Sequence, residues 1–357
     1  MSAPITDVTS WQASDYDMII DVRSPIEFAD DHIPGAVNMP VLSDEERVTI
    51  GTLYKQESPF IARKKGAAFV ARNIADHLDT KLFDLPSSFS PLIHCWRGGQ
   101  RSHAFARICS EVGWLSYVLT GGYKQYRRDV MSGLESVPST LSFIVVAGRT
   151  GSRKTDILTG LEAKGAQVLD LEGIANHRGS LLGHIKDSPQ PSQRMFESQL
   201  NKKLQSFDPE RPVYVESESS KVGNVQLAPE LWKSIAAAPQ IAVSAPRTDR
   251  ATYLLGAYEH LTHDISDLNK LVTGMTHRHG RERTDIWQAL IDAKDWQLLA
   301  VELLEAHYDP AYDRSMERHD RFVHAKIEMP DCSDNTLEGA VTRILAYGPV
   351  TPSASGS

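Results

Sequence analysis

An apolar strand that runs into a glycine-rich loop and then a helix constrains the fold of the first third of this chain. Residues 91–93 are apolar, the loop from His94 to Ser102 reads His-Cys-Trp-Arg-Gly-Gly-Gln-Arg-Ser, and apolar residues with helical spacing follow. Such a loop gathers free backbone N–H groups, and the helix dipole favours negative charge beside them. The pattern therefore predicts an anion-binding loop between a buried strand and a helix.

Cys95 lies at the start of this loop, and its charged neighbours are cationic. Gly98 and Gly99 let the backbone curl close to a bound anion, while Arg97 and Arg101 add positive charge. Such surroundings lower the pKa of a thiol, so we predict that Cys95 is a thiolate nucleophile. A small buried cysteine that only packs the loop is the alternative, and the cationic surroundings argue against it.

Composition points to a cytoplasmic protein with two domains. The chain has 357 residues, 41% of them apolar, and lacks both a membrane-spanning apolar run and the basic and apolar regions of a signal peptide. Its three cysteines show neither metal-ligand spacing nor a disulfide framework, so we predict no metal site from them. We expect a reducing cytoplasm, in which a reactive thiolate persists, and no membrane partner.

The net charge of −8 means that a polyanionic partner must meet a local basic surface. Candidate phosphate contacts come from two basic stretches, which are Lys124, Arg127 and Arg128, and Arg278, Arg281 and Arg283. A solvated face is the alternative for each stretch.

A second strand, loop and helix pattern begins after residue 140. Residues 141–147 form an apolar run, and the segment from Gly148 to Thr155 fits the phosphate-binding loop pattern. The candidate anion-binding residues are Gly148, Gly151, Ser152, Arg153, Lys154 and Thr155. Arg153 replaces the usual glycine, so it either disturbs a left-handed backbone position or adds a cation to the site.

Strands alternate with helices through both halves, which predicts α/β domains with parallel sheets. We place one domain at 1–132, a polar linker at 133–140, a phosphate-loop domain with a helical C-terminal part at 141–349, and a disordered tail at 350–357. Acidic residues at strand ends beside the phosphate loop are candidates to hold a metal ion or its water, namely Asp170, Glu172, Glu216 and Glu218.

The first domain resembles a rhodanese-type sulfurtransferase domain. The likeness is carried by Asp-Val-Arg-Ser-Pro at 21–25, His-Ile-Pro-Gly-Ala at 32–36, the Cys95 loop, and Gly-Gly-Tyr at 121–123. The first three of these motifs in the right order imply the rhodanese fold, and Gly-Gly-Tyr closes the pattern where such domains usually end.

The two domains together resemble the bacterial tRNA 2-selenouridine synthases. Further shared segments are Gly-Thr-Leu-Tyr-Lys-Gln at 51–56, Asp-Leu-Glu-Gly at 170–173, Ala-Asn-His-Arg-Gly-Ser at 175–180, Gln-Pro-Ser-Gln-x-x-Phe-Glu at 190–197, and His-Tyr-Asp-Pro-x-Tyr at 307–312. The resemblance implies a transferase that replaces the sulfur of wobble 2-thiouridine in tRNA with selenium. It implies geranyl diphosphate, selenophosphate and the tRNA anticodon loop as substrates, with selenophosphate synthetase as a candidate partner and Mg²⁺ left open.

On this hypothesis the phosphate loop holds the diphosphate and the Cys95 loop handles selenium. The reverse assignment, or a phosphate loop that grips the tRNA backbone, is the alternative. Trp96 is a candidate stacking platform for a splayed base, with packing under the loop as its rival. His177 and Arg178 are candidate substrate contacts. Trp287 and Trp296 lie in the helical region where a geranyl groove is needed, although a core position is the favoured reading of both.

Two other classes of function fit parts of the sequence. Cys95 and Arg101 match the Cys-x5-Arg signature of cysteine-dependent phosphatases, some of which share the rhodanese fold. That reading leaves the second domain unexplained. A non-enzymatic tRNA-binding scaffold would require an inert Cys95, against which the intact glycines and arginines argue.

Overall fold

The computed structural model describes residues 2–177, 188–217, 219–257, 265–317 and 321–347, without the side chains of 267 and 315–317. The chain divides into two compact units. The first comprises Met1–Leu134 with Pro191–Lys202, and the second comprises Glu135–Gln190 with Lys203–Ser357. Among the described residues, every helix is too short or too polar to cross a membrane.

The first unit is built on a five-stranded parallel sheet. Its strands are β1 (Ile5–Val8), β2 (Met18–Asp21), β3 (Val37–Asn38), β4 (Pro91–His94) and β5 (Ser116–Leu119). They lie in the order β1-β5-β4-β2-β3, and each neighbouring pair is parallel. The strand before Cys95 is therefore central, with a neighbour on each side.

The helices of the first unit cover this sheet. They are α1 (Pro25–Asp30), α2 (Asp44–Gln56), α3 (Pro59–His77), α4 (Gln100–Val112) and α5 (Gly122–Ser136), with short helical turns at Ala13–Asp15 and Leu78–Leu82. The core joins strand residues such as Ile20 and Ile93 to Phe105 and Cys109 of α4. Burial of this apolar face fixes α4, and with it the end of the Cys95 loop, against the sheet.

The second unit has a second five-stranded parallel sheet and a separate two-stranded antiparallel pair. The large sheet has the order β12-β11-β6-β8-β7. Its strands are β6 (Phe143–Gly148), β7 (Gln167–Leu169), β8 (Val213–Glu216), β11 (Gln240–Ser244) and β12 (Val323–Glu328), and the small pair is β9 (Lys221–Val222) with β10 (Val225–Gln226). The strand that leads into the phosphate loop is central, as in the first unit.

Helices make up much of the remaining chain. They are α6 (Lys154–Ala163), α7 (Leu171–Ala175), α8 (Gln193–Gln205), α9 (Pro229–Ala237), α10 (Arg247–Ala257), α11 (Ser266–His279), α12 (Arg281–Asp292), α13 (Trp296–Leu303), α14 (Asp309–Glu317) and α15 (Asp334–Ala346). A 3-10 turn covers Val137–Thr140, and a wide π-type turn at Leu304–Tyr308 joins α13 to α14. Residues of α8 up to Lys202 belong to the first unit.

The α/β fold with parallel sheets and a helical C-terminal part agrees with the sequence prediction, but the predicted linker is helical. Helix α5 continues to Ser136, and the 3-10 turn follows it directly. Val130, Leu134 and Pro138 are buried, so an apolar face supports the helix through a stretch that reads as polar. No sequence pattern predicted that residues 191–202 pack with the first unit. The predicted disordered tail lies outside the described residues.

Trp287 lies in the core of the helical region. It is fully buried and packs with Val272, Ile291 and Leu303, and Trp296 packs against the same cluster. The favoured reading of both tryptophans as core residues agrees with this position, so a geranyl groove must be sought elsewhere.

We expect Phe105→Ala to destabilise the first unit by about 3–5 kcal/mol, because Phe105 is fully buried between α4 and the sheet. Phe83→Ala is the matched control, since Phe83 is 79% exposed, and should change stability by less than about 0.5 kcal/mol. Urea unfolding followed by circular dichroism measures both. Equal changes in the free energy of unfolding for the two substitutions would contradict the buried position of Phe105 in this core.

Candidate functional site

The thiol of Cys95 lies at the carboxyl end of β4, where the backbone turns into α4. The residue is 4% exposed. Its Sγ accepts hydrogen bonds from the backbone N–H of Gly99 at 3.2 Å and from the Ser102 hydroxyl at 3.4 Å. These donors come from the loop and the first turn of α4, where N–H groups lack helical partners.

The pKa of Cys95 lies below that of an ordinary thiol. Burial raises this pKa, but the hydrogen bond from Ser102 and the backbone hydrogen bonds of Arg97, Gly99 and Ser102 lower it by more. By contrast, burial raises the pKa of Cys109 to about 12. The hydrogen bonds of the loop therefore favour the thiolate form of Cys95, and its role as a nucleophile stays a prediction.

Two glycine turns interlock behind the thiol. Gly98 and Gly122 both have positive φ, 64° and 56°, and a Cβ at Gly122 would collide with the backbone of Cys95 and Gly98. The N–H groups of Tyr123 and Lys124 then donate to the carbonyls of Cys95 (2.9 Å) and Trp96 (3.0 Å). The Gly-Gly-Tyr motif thus fixes the shape of the Cys95 loop.

A buried ionic network supports these turns from below. Arg23 is 1% exposed and forms a bidentate pair with Asp21, with Nε–Oδ1 at 3.0 Å and Nη2–Oδ2 at 2.5 Å. Arg23 also donates to the Asp31 carbonyl at 2.6 Å and lies 3.9 Å from the centre of the Tyr123 ring. The Tyr123 hydroxyl donates to Asp31 at 2.8 Å, a role of Asp31 that no sequence motif signalled.

The arginines of the Cys95 loop have different surroundings. Arg97 is exposed, and within the described residues it has no ion-pair partner. Arg101 lies 3.5 Å from Glu27, which also pairs with Arg47 at 3.2 Å. Trp96 is half-buried with its ring 5.1 Å from that of Tyr123, so it packs on the loop while keeping part of its surface open.

The basic stretch after Gly122 is only partly available for phosphate. Lys124 and Arg128 are exposed. Arg127 instead forms an ion pair with Glu197 and lies 3.9 Å from Asp31. This corrects the prediction for Arg127, because two carboxylates already neutralise its guanidinium.

The phosphate loop joins β6 to α6 in the second unit. Gly151 has a φ of 81° and its Cα lies against the backbone of Arg250, so the loop turns through a position that needs glycine. Lys154 Nζ donates to the Gly148 carbonyl at 2.8 Å across the loop, and Ser152 is 1% exposed. The strand, loop and helix arrangement is the one that cradles phosphate.

Arg153 adopts the left-handed conformation that its position requires, with φ 57° and ψ 31°. Its guanidinium pairs with Asp156 at 2.7 Å and Asp334 at 2.8 Å, and donates to the Cys332 carbonyl at 2.8 Å. Arg153 therefore does not supply a free cation to the loop, which corrects that part of the prediction. Instead, the bonds of the Arg153 side chain hold the backbone in the left-handed conformation that a glycine usually adopts at this position.

A buried ion pair holds the phosphate loop from its other side. Arg250 is 3% exposed and donates to the Thr150 carbonyl at 2.9 Å. Its two Nη atoms bind both oxygens of Asp309, at 2.9 and 2.8 Å. Asp309 follows the π-type turn at Leu304–Tyr308, a kind of irregularity that frequently marks a functional site. The 307–310 motif therefore positions the loop.

A cavity of about 470 Å³ opens beside this loop, within the size range of small-molecule sites. One side carries Lys154, Thr155 and the loop backbone. The other side is apolar and aromatic, formed by Tyr253, Leu254, Ala257, Tyr308, Ala311 and Tyr312. Sequence reasoning gave no role to this wall, since its residues come from α10, from the π-type turn before α14 and from α14 itself, which only the fold brings together.

Glu172 and Glu216 line the same cavity. The N–H of Glu172 donates to Glu216 at 2.7 Å, and burial together with Asp170 raises the pKa of Glu216 well above the ordinary carboxyl value. Asp170 caps α7 by accepting from Gly173, and Glu218 lies outside the described residues. The described residues hold no preformed cluster of three metal-ligating side chains.

Family models match both halves of the chain, a rhodanese-like domain over residues 6–129 and a tRNA 2-selenouridine synthase AAA domain over residues 141–282. The tRNA 2-selenouridine synthase of Sulfurovum sp. is 32% identical over 84% of this chain and 89% of its own length. That of Nitrosomonas europaea is 34% identical over 71% of this chain and 66% of its own. The chain belongs to the tRNA 2-selenouridine synthase family. This confirms the family and the fold that the motifs predicted.

The other residues that the sequence predicts as substrate contacts in this synthase-family chain do not lie together. Arg278, Arg281 and Arg283 are exposed where α11 meets α12, and they are not among the residues lining the phosphate-loop cavity. His177 is half-buried just after α7. Arg178 lies outside the described residues. These residues stay predictions as substrate contacts.

We predict that Asp309→Asn destabilises this family member by about 3–5 kcal/mol, because it leaves Arg250 as a buried, unpaired charge. Asp313→Asn is the matched control: Asp313 pairs with Arg149 at 2.8 Å, but both side chains are 46% exposed. That change should cost less than about 1 kcal/mol. Denaturant unfolding measures both, and a small effect of Asp309→Asn would contradict the proposed clamp.

We also predict that Cys95 reacts with iodoacetamide with a pH midpoint below the ordinary thiol value of about 8.5. Ser102→Ala should raise this midpoint, because the thiolate loses a hydroxyl donor. Rates of labelling of the Cys95 peptide, followed by mass spectrometry across pH, give the midpoint. Ser14→Ala, an exposed change, is the control. If Ser102→Ala leaves the pH midpoint of labelling unchanged, the Ser102 hydroxyl does not lower the pKa of Cys95.

Proposed function

We propose that this chain converts wobble 2-thiouridine in tRNA to 2-selenouridine in two steps. A geranyl group is first transferred from geranyl diphosphate to the sulfur, and selenium from selenophosphate then replaces the geranylated sulfur. The names of its relatives support the overall conversion, since they are tRNA 2-selenouridine synthases. The two-step chemistry is supported by the two anion-binding loops and by what surrounds each of them.

The observation that carries the first step is the two-sided cavity of the second unit. Lys154 and the phosphate-loop N–H groups suit a diphosphate, while Tyr253, Leu254 and Tyr308 offer an apolar surface beside it. A ligand with a diphosphate at one end and a hydrocarbon chain at the other matches both sides. An RNA phosphate alone would leave the apolar wall without a partner.

In the first step the uridine sulfur attacks C1 of the geranyl group, a C–S bond forms, the C–O bond to diphosphate breaks, and the N3 proton of the pyrimidine ring passes to solvent. Lys154 and the loop N–H groups stabilise the negative charge that develops on the leaving diphosphate. Thr155, Glu172 and Glu216 provide oxygen atoms beside it, and Mg²⁺ commonly binds through one or two carboxylates plus phosphate oxygens. Such an ion would add charge neutralisation when bound.

In the second step we assign selenophosphate to the Cys95 loop. The start of α4 and the exposed Arg97 suit a phosphate-bearing anion, and the N–H of Gly99 already donates to Cys95 at the base of the loop. Selenium attacks C2 of the pyrimidine ring, the C2–S bond breaks, and geranyl thiol leaves after protonation. Water then cleaves the P–Se bond and releases phosphate. Alkylation assists because a thiolate is a better leaving group than sulfide.

The tRNA contacts are assigned to exposed groups near the Cys95 loop. Lys124 and Arg128 suit phosphates, and Trp96 keeps part of its ring open for stacking on a splayed base. Selenophosphate synthetase is the corresponding proposed partner, since it supplies the selenium donor. The phosphatase reading gains no support from the geometry, because Arg101, the arginine of the Cys-x5-Arg signature, pairs with the Glu27 carboxylate at 3.5 Å.

The test is mass analysis of nucleosides from thiolated tRNA incubated first with geranyl diphosphate and then with selenophosphate. We expect Lys154→Ala to slow formation of S-geranyl-2-thiouridine by roughly 10²-fold, the order seen when one stabilising donor is removed. Cys95→Ala should allow geranylation but block selenouridine formation. Lys164→Ala is the matched control for Lys154→Ala, since Lys164 is exposed just after α6, at the end of that helix away from the phosphate loop.

Absence of both modified nucleosides with the wild-type protein would refute the proposed function. Loss of geranylation in Cys95→Ala, with Lys154→Ala unaffected, would reverse the assignment of the loops. Cys95-dependent release of phosphate from an aryl phosphate, without either nucleoside, would instead establish the phosphatase reading.

A further inference from the structure

A second large cavity, in the first unit, has no role in the chemistry described so far. It is an open groove of about 1090 Å³ bounded by α2, α3 and α4. Its floor and walls are mainly apolar, with Ile50 from α2, Val70 and Ile74 from α3, and Ile108 from α4. Ile108 is 38% exposed and Tyr54 on the rim 59%. An apolar groove of this size on a soluble unit indicates a binding site.

Small side chains on α3 keep the groove open. Ala62, Gly66 and Ala67 line it on successive turns of this helix, with Ala71 one turn further. A large residue at any of these places would project into the space between α2 and α4. The groove is therefore shaped for an elongated apolar chain.

The groove also carries positive charge. Arg63, Arg101 and Arg107 line it, and of these Arg101 pairs with Glu27 at 3.5 Å. Within the described part of the chain, Arg63 and Arg107 are exposed and have no carboxylate partner. His103 also lines the groove, and its ring lies 3.3 Å from Asp7. Two unpaired arginines beside an apolar channel suit a ligand that joins hydrocarbon to anionic groups.

The groove begins where the Cys95 loop ends. Gln100 and Arg101, the first residues of α4, both line it. The preceding residue, Gly99, donates its N–H to the Cys95 thiol at 3.2 Å. A chain lying in the groove would thus have one end beside the thiol.

We infer that this groove binds the geranyl chain of S-geranyl-2-thiouridine in tRNA during selenium exchange, with Arg63 and Arg107 contacting RNA phosphates. This inference rests on the proposed function and adds a second terpenyl site to the diphosphate cavity. The occupant follows from three features: an elongated apolar channel, unpaired cations along it, and an end at the Cys95 loop. Bound in this way, the geranyl chain places the C2–S bond, which breaks during the exchange, next to Cys95.

The test compares Ala67→Trp with Ala68→Trp. Both alanines are exposed on α3, but only Ala67 lines the groove, so both variants should fold and only the first fills it. Fluorescence anisotropy gives the Kd for a labelled anticodon stem-loop with synthetic S-geranyl-2-thiouridine, and for the same RNA with 2-thiouridine. Wild-type protein should prefer the geranylated RNA, and Ala67→Trp should reduce that preference about tenfold.

Charge is tested separately with Arg107→Ala, which should weaken binding of both RNAs and flatten the salt dependence. Arg72→Ala is the matched control, since Arg72 is exposed on α3 outside the groove. Geranylation of thiolated tRNA from geranyl diphosphate should continue in Ala67→Trp, because its site is the phosphate-loop cavity.

A wild-type protein that geranylates tRNA while Ala67→Trp keeps the full preference for geranylated RNA overturns this inference and leaves the proposed function intact. A change in oligomeric state of Ala67→Trp by light scattering, with that preference kept, would show that the groove binds a second copy instead. A wild-type protein that forms no geranylated tRNA refutes the proposed function, and this inference falls with it.

Discussion

Both candidate sites depend on a loop where a helix begins after a central parallel strand, because backbone N–H groups there lack partners within the helix. In the first unit the N–H of Gly99 donates to the Cys95 thiol, and in the second the loop from Gly148 to Thr155 lines a cavity. Such groups bind anions only if the loop before the helix keeps one shape. Each unit supplies that shape with buried charged residues. Arg23 and Asp31 brace the first loop, and Arg250 and Asp309 brace the second.

Arg153 shows how a phosphate loop keeps its shape without the usual glycine. A left-handed conformation costs a non-glycine residue roughly 1–2 kcal/mol. Ion pairs with Asp156 and Asp334 and a hydrogen bond to the Cys332 carbonyl offset this cost. The same bonds neutralise the Arg153 guanidinium. Lys154 and the loop backbone are therefore the groups that contact the negative charge of a bound substrate. The substitution therefore changes how the loop is held more than what it binds.

Local patterns predicted the fold and the two loops well, because strand, glycine loop and helix are adjacent in sequence. The apolar wall at Tyr253 and Tyr308 was beyond such reasoning, since Tyr253 on α10 and Tyr308 in the turn before α14 lie far apart in sequence and only the fold brings them to one cavity. The same holds for Arg127, whose partner Glu197 is distant in sequence and was not visible as an ion pair. The helical character of residues 133–136 was hidden because their polar composition masks an apolar face that tertiary packing buries.

A phosphate-binding loop alone does not distinguish one phosphorylated ligand from another, because its backbone donors recognise only the anion. Discrimination must come from what adjoins the loop. In the second unit an aromatic wall adjoins it, whereas in the first the Cys95 loop leads into a groove with small residues and unpaired arginines. A small prenyl diphosphate fits the loop and aromatic wall of the second unit. A hydrocarbon chain attached to RNA fits the groove of the first unit, because RNA phosphates accompany the hydrocarbon. Under the proposed function, the different surroundings of two similar loops are the reason to assign a separate step to each unit.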